Sequence, residues 1–132
     1  MKRWQWIVMV GPLFLLVPLG AALEKDQKPP KKTPELLTQG KKIYEQTCTP
    51  CHGPKGDGKG PAGAVLKETP SDFTKPLKEW PHTKGDLGKV FGVISKGIPN
   101  SGMVAWTQYS EQERWALAYA VMEFAVPPPK KK

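Results

Sequence analysis

"TCTPCHGPKGDGKGP", residues 47–61, carries both cysteines of the chain, Cys48 and Cys51, with His52 directly after the second. A glycine-rich run follows. Several chemistries compete for such a stretch. An exported protein can join cysteines three apart in a disulfide or use them as a redox dithiol. The dithiol site expects a strand–helix–strand surround, and no stretch of this sequence alternates as a strand would. A zinc site needs about four ligands. Cys48, Cys51, His52 and the distant His82 would make that number, but structural zinc motifs usually repeat the close cysteine pair and this sequence does not. A phosphate loop is a weak match, because no strand precedes the glycines and no Gly-Lys-Ser/Thr closes them.

C-x-x-C-H is the attachment pattern of c-type haem, and it fits best. Two thiolates a short turn apart can add to the two vinyl groups on one side of a porphyrin. The adjacent histidine can then reach the iron from one face. A covalently held macrocycle also gives a small chain the apolar bulk that its own side chains supply only marginally.

The rest of the chain divides around this motif. Lys2 and Arg3 precede Trp4–Leu23, an uncharged stretch ending in small residues, which is the layout of a secretory signal. Gly11, Pro12 and Pro18 argue against a packed core helix there. The stretch is also just long enough to span a bilayer, with Trp4 and Trp6 placed for its interface. Residues 1–23 are therefore expected to be a signal sequence or an N-terminal membrane anchor formed by 4–23. In either case the rest of the chain is expected on the periplasmic, extracytoplasmic side. Residues 24–33, "EKDQKPPKKT", read as a Lys/Pro-rich linker, and 127–132, "PPPKKK", as a stiff solvated tail. Between them, 34–126 is the one domain.

The net charge of +8 belongs to these flanks. Within 34–126 there are eleven basic and ten acidic residues, close to balance. A nucleic-acid footprint needs a basic face on the folded part, so nucleic acid is not an expected partner.

Three helices are predicted. Thr33 as N-cap and Pro34 at the first helical position open one, with Leu36, Gly40, Ile43, Tyr44 and Thr47 at helical spacing and Cys48 at its end. A second runs through 83–97, with a capping box from Thr83 to Asp86 and a stop at Gly97. A third starts at the Ser110/Glu113 capping box and ends before Pro127.

Placed in order, "GKKIYEQTCTPCHG", "GDGKGPAG", "VISKGIPNSGMVAW" and "SEQERWALAYAVMEF" resemble the first helix and haem turn, the following loop, the methionine loop and the last helix of the small monohaem cytochromes c. The resemblance covers nearly all of 34–126. It implies an all-α, cytochrome c-like fold with three or more helices packed around one covalently attached haem c. It also implies roles residue by residue. Cys48 and Cys51 would form the thioethers and His52 would be the proximal iron ligand. Pro61 resembles the proline whose carbonyl takes the histidine's second ring N–H. Met103 stands where the family places its axial methionine, in a loop with no helical stripe to serve, and soft sulfur suits haem iron. His82 is the rival sixth ligand, while Met122 sits in a helical apolar stripe and reads as core. Trp106 resembles a pocket aromatic. Gly40 and Tyr44 would face Trp115 and Tyr119 where the first and last helices cross.

The expected function is one-electron transfer between a redox protein donor and acceptor, with no chemistry of the domain's own. The alternatives are a fixed relay subunit of a membrane oxidoreductase complex and a haem-based gas sensor, the last requiring Met103 to be off the iron.

Overall fold

The computed structural model describes residues 28–125. The expected signal or anchor segment 1–23 and the tail 127–132 lie outside the described residues. The chain runs through α1 (Pro34–Ile43), a π-helical turn (Tyr44–Cys48), α2 (Thr49–His52), a long loop with short 3-10 turns at Gly63–Val65 and Leu77–Glu79, α3 (Leu87–Lys96) and α4 (Glu111–Met122). Among the described residues there is no strand. The fold is all-α, as the sequence implies.

α1 begins where expected. Thr33 is extended and its hydroxyl accepts the Leu36 amide at 3.2 Å, with Pro34 at the first helical position. Its far end differs from the expectation. The helical path continues past Cys48 as the π turn and α2, through the whole attachment motif. Pro50 explains the change of pitch. It has no amide to donate backward, so the helix widens before it and restarts with Pro50 in its first turn.

α3 also starts later than expected. Asp86 is the N-cap itself, its carboxylate accepting the Lys89 amide at 2.8 Å, and Thr83 is buried upstream. Lys84 and Gly85 both have positive φ, which turns the chain and prevents a helix from starting at Thr83. α4 carries the expected capping box in both directions, Ser110 to the Glu113 amide and Glu113 back to the Ser110 amide. It ends at Met122, before the proline.

α4 is the centre of the core. Trp115, Ala116, Leu117, Ala118, Ala120 and Val121 are all buried. α1 crosses it at Gly40, whose Cα lies against the Ala116 carbonyl and the Leu117 amide. The first and last helices cross at Gly40 as expected, and the aromatics around the crossing have further partners. Trp115 stacks on Phe91 of α3, with ring centroids 3.9 Å apart and planes 12° apart. Tyr44 packs on Phe124 at 4.7 Å and donates to the Gly53 carbonyl at 2.9 Å. Tyr119 donates to the Pro30 carbonyl at 2.7 Å. With Lys32 paired to Glu123, that bond docks the end of the Lys/Pro-rich stretch on α4.

Candidate haem site

The π turn and α2 place Tyr44, Thr47, Cys48, Cys51 and His52 along one wall of a cleft of ≈ 930 Å³, its open mouth included. α3 contributes Val90, Val93 and Ile94, and α4 closes the bottom with Leu117 and Val121. Loops bring Leu66, Phe73 and Met103. The walls are largely aliphatic and aromatic, and the polar groups concentrate at the attachment motif and the rim.

The glycine-rich run after His52 wraps the end of α2. Amides of Gly58, Gly60 and Ala62 donate to the carbonyls of His52, Cys51 and Pro50 at 2.9, 3.1 and 2.9 Å. These carbonyls have no intrahelical partner at a helix end, and the loop satisfies them. Gly60 is required by close approach, since a side chain there would overlap the backbone of Pro50 and Cys51. The run is a backbone sleeve around the motif.

His52 is held from two directions. Its ring stacks on Phe73 with centroids 4.6 Å apart and planes at 21°. Its Nδ1 lies 3.2 Å from the Ser71 carbonyl. The expectation for Pro61 is therefore corrected. Pro61 is exposed on the outer side of the loop, and the carbonyl that meets the ring is Ser71's. The chain returns at Ser71–Phe73 beside the ring, and this return supplies the carbonyl. Burial lowers the pKa of His52, partly opposed by the bond to Ser71. A neutral imidazole keeps one nitrogen lone pair free for a metal.

Cys48 is buried and Cys51 half-buried, both as free thiols. Burial, reinforced by the neighbouring Cys51, pushes the Cys48 thiol up to about 12. Met103 lies in a tied loop. The Ile98 amide donates to its carbonyl at 2.9 Å, and its own amide donates to the Ser101 hydroxyl at 3.1 Å. Gly97 allows the loop to close, because a side chain there would press on Met103 and Ala105 backbone at under 3 Å. His82 also lines the cleft, but it is exposed, with its Nε2 3.7 Å from a Glu68 carboxylate oxygen. Trp106 lines the cleft as expected, and Met122 packs against the core.

Sequence reasoning missed Ser71, Phe73 and Trp80. Trp80 is only 1% exposed, packs on Phe73 with centroids 5.0 Å apart, and donates from Nε1 to the Lys75 carbonyl at 3.0 Å. It thereby braces the ring that braces His52. Two aromatics in the otherwise polar stretch 71–82 were the available signal, because a long loop must bring its own core.

A nitrogen donor, a thioether sulfur and two thiols share one apolar cleft, and this set fits a haem c: the thiols for the vinyl groups, the imidazole and thioether for iron.

The model of the family described as cytochrome c oxidase, cbb3-type, subunit III matches residues 35–119. Among curated proteins nothing matches. A solved structure, the "Kuenenia stuttgartiensis reducing HAO-like protein complex Kustc0457/Kustc0458", contains a chain similar over 75% of this one, with 28% identity and a TM-score of 0.68. This chain covers 48% of that one, about half its length. The matched segment spans the attachment motif, the sleeve, the methionine loop and most of α4, and with it the chain belongs to the family of cbb3-type cytochrome c oxidase subunit III, c-type cytochromes that carry covalent haem c and transfer electrons.

Proposed function

We propose that the chain is a one-electron carrier on the extracytoplasmic side, with Cys48 and Cys51 as the thioether anchors and His52 and Met103 as the two axial ligands. The observation that carries this reading is that Met103, 51 residues after His52, lines the same apolar cleft as the Cys48–His52 motif. Bound haem supplies a couple that gains and loses one electron between ferric and ferrous iron.

The protein's part is placement and environment. Cys48 and Cys51 fix the macrocycle covalently. Ser71 and Phe73 orient His52, and the bond to Ser71 increases the electron donation of the imidazole. Met103, on its tied loop, would supply the second ligand to the iron and so leave no position for a substrate. A Met/His pair raises the reduction potential, and aliphatic walls that exclude water act in the same direction. Donor and acceptor are redox proteins that approach the exposed side of the cleft.

Redox titration of the holoprotein tests this. A single one-electron Nernst wave with ferrous iron inert to carbon monoxide is the expected result. Ready carbon monoxide binding by the unmodified protein would instead support the gas sensor. Export is tested by fusing a reporter active only outside the cytoplasm after Leu23; activity of a cytoplasm-only reporter there would refute it.

A second reading is a fixed relay within a membrane oxidoreductase complex. The family's description as an oxidase subunit and the neighbour's place in a protein complex favour it. Subunits co-purifying in mild detergent would establish it.

A further inference from the structure

Two large apolar side chains stand well exposed among the described residues, Val65 at 85% and Val104 at 58%. Scattered singly, such residues need no explanation. These two are brought together. Val104 lines the cleft, and Val65 is followed by Leu66, which lines it too. Gly102 packs on the Leu66 side chain so closely that a Cβ there would lie 2.6 Å from Leu66 Cδ2. That contact joins 61–66 to the methionine loop, and the exposed Ala62, Ala64, Pro99 and Ala105 extend the apolar character of both segments. Neither 61–66 nor 97–110 contains a charged residue, in a chain of which 24% is charged. Lys59, Lys67 and Lys96 stand just outside the segments, with Glu68 after Lys67, so charge borders the two segments without entering them. The face is also built on the site itself. A Cβ at Gly63 would lie 2.6 Å from the Cys51 carbonyl oxygen, and Met103 stands between Gly102 and Val104.

We infer that redox partners dock on this face, and that the partner it fits presents an uncharged, apolar surface of its own. The inference deepens the proposed electron transfer and rests on it. Charge chooses the partner. A partner that set acidic or basic groups against 61–66 and 97–110 would strip them of water with no opposite charge to compensate. An apolar partner surface loses no hydration of charge and gains the burial of both valines. Size chooses the kind of encounter. A permanent interface is larger and built on bulkier apolar groups, whereas two valines with alanine and proline neighbours suit the brief contacts of an electron carrier. Contact here brings the partner against the loops that hold Cys51 and Met103. One electron then crosses, with no bond made or broken and no proton moved.

A second copy of the holoprotein carries such a face, so electron self-exchange between ferrous and ferric copies is the probe. Its rate is read from nuclear magnetic resonance line broadening in mixtures of the two states, with haem spectra recorded in the same samples. Val65→Lys and Val104→Lys should each slow the exchange about fivefold at low salt, the effect of two like charges meeting about 4 Å apart in water. High salt should restore part of the loss. Thr38→Lys adds the same charge on α1, at an exposed position that does not line the cleft, and should exchange at nearly the parent rate. The double variant Val65→Ser/Val104→Ser, which adds no charge, should be slower severalfold at every salt concentration. Val65 adjoins neither proposed ligand in sequence, so its variant keeps the test readable if Val104→Lys disturbs Met103. Equal rates in Val65→Lys and Thr38→Lys, with intact haem spectra, would overturn the inference. A stable parent dimer that Val65→Lys abolishes would assign the face to permanent pairing. Phosphatidylcholine vesicles that slow exchange in the parent but not in Val65→Lys would assign it to lipid. Either result overturns the inference as well. Spectra without His/Met character would damage the functional proposal instead, and the comparison of variants would still report where the copies meet.

Discussion

Gly40→Ala should destabilise the protein, although alanine is the better helix former. A methyl group built at Gly40 would lie 1.9 Å from the Ala116 carbonyl oxygen, whereas ordinary contact begins near 3.4 Å. α1 and α4 would have to separate by about 1.5 Å at their crossing, and the obstacle is helix backbone, which has no rotamer to change. Overpacking of this kind costs ~1–3 kcal/mol, and the rigid partner places this case at the upper end. The intrinsic gain from replacing glycine in a helix is ~1 kcal/mol and does not offset it. Gly92 is the internal control. It lies inside α3, and a Cβ there meets nothing within 4 Å. Gly92→Ala should therefore stabilise by about 0.5–1 kcal/mol. For a domain of this size each kcal/mol moves the melting temperature by ~4–8 °C. Thermal melts of the two holoproteins, followed by far-ultraviolet circular dichroism, should move in opposite directions from the parent. A Gly40→Ala protein that melts at or above the parent temperature would show that the helices do not cross as closely as described.

Tyr44→Phe removes the hydroxyl that donates to the buried Gly53 carbonyl and should cost ~1–3 kcal/mol in denaturant unfolding, with helix content unchanged. Ser110→Ala deletes the α4 cap and should cost ~1 kcal/mol, read as a shift in the denaturant midpoint. Lys32→Gln should lose a small, salt-screened increment, below ~1 kcal/mol because the pair is substantially exposed. The Lys32 hydrogen bond lowers the pKa of Glu123, so this increment is present above the unfolded carboxylate pKa and disappears as the pH falls through the lower folded value; melts of parent and variant should converge in acid.

The helix starts were legible at Thr33 and Ser110 because a cap is a local device: the side chain that stops the amide ladder stands within three residues of what it binds. The start of α3 was misplaced because Thr83 and Asp86 have cap-like spacing, while the positive φ of Lys84 and Gly85 that separates them is not written in residue type alone. The π turn was hidden for a related reason. Pro50 reads as a helix breaker, and only the neighbouring turns reveal that the helix widens instead of ending. At the site, Cys48, Cys51 and His52 are adjacent in sequence and their chemistry could be read directly. Ser71 and Phe73 reach His52 across some twenty residues of loop, a closure decided by the aromatic packing of Phe73 on Trp80. Pro61 was named from its resemblance to the family's proline, whereas the carbonyl that meets the ring here returns from farther along the chain.

The most direct test of the His52/Met103 reading is the sulfur-to-iron charge-transfer absorption of the ferric holoprotein. Met103 and His82 both line the cleft, but Met103 stands on a loop tied at its amide and carbonyl, whereas His82 is exposed beside Glu68. The account predicts that the parent and His82→Ala show the band, that Met103→Leu loses it, and that the variant's reduction potential falls as the iron loses its thioether. A band that survives in Met103→Leu, or one that disappears in His82→Ala, would contradict it.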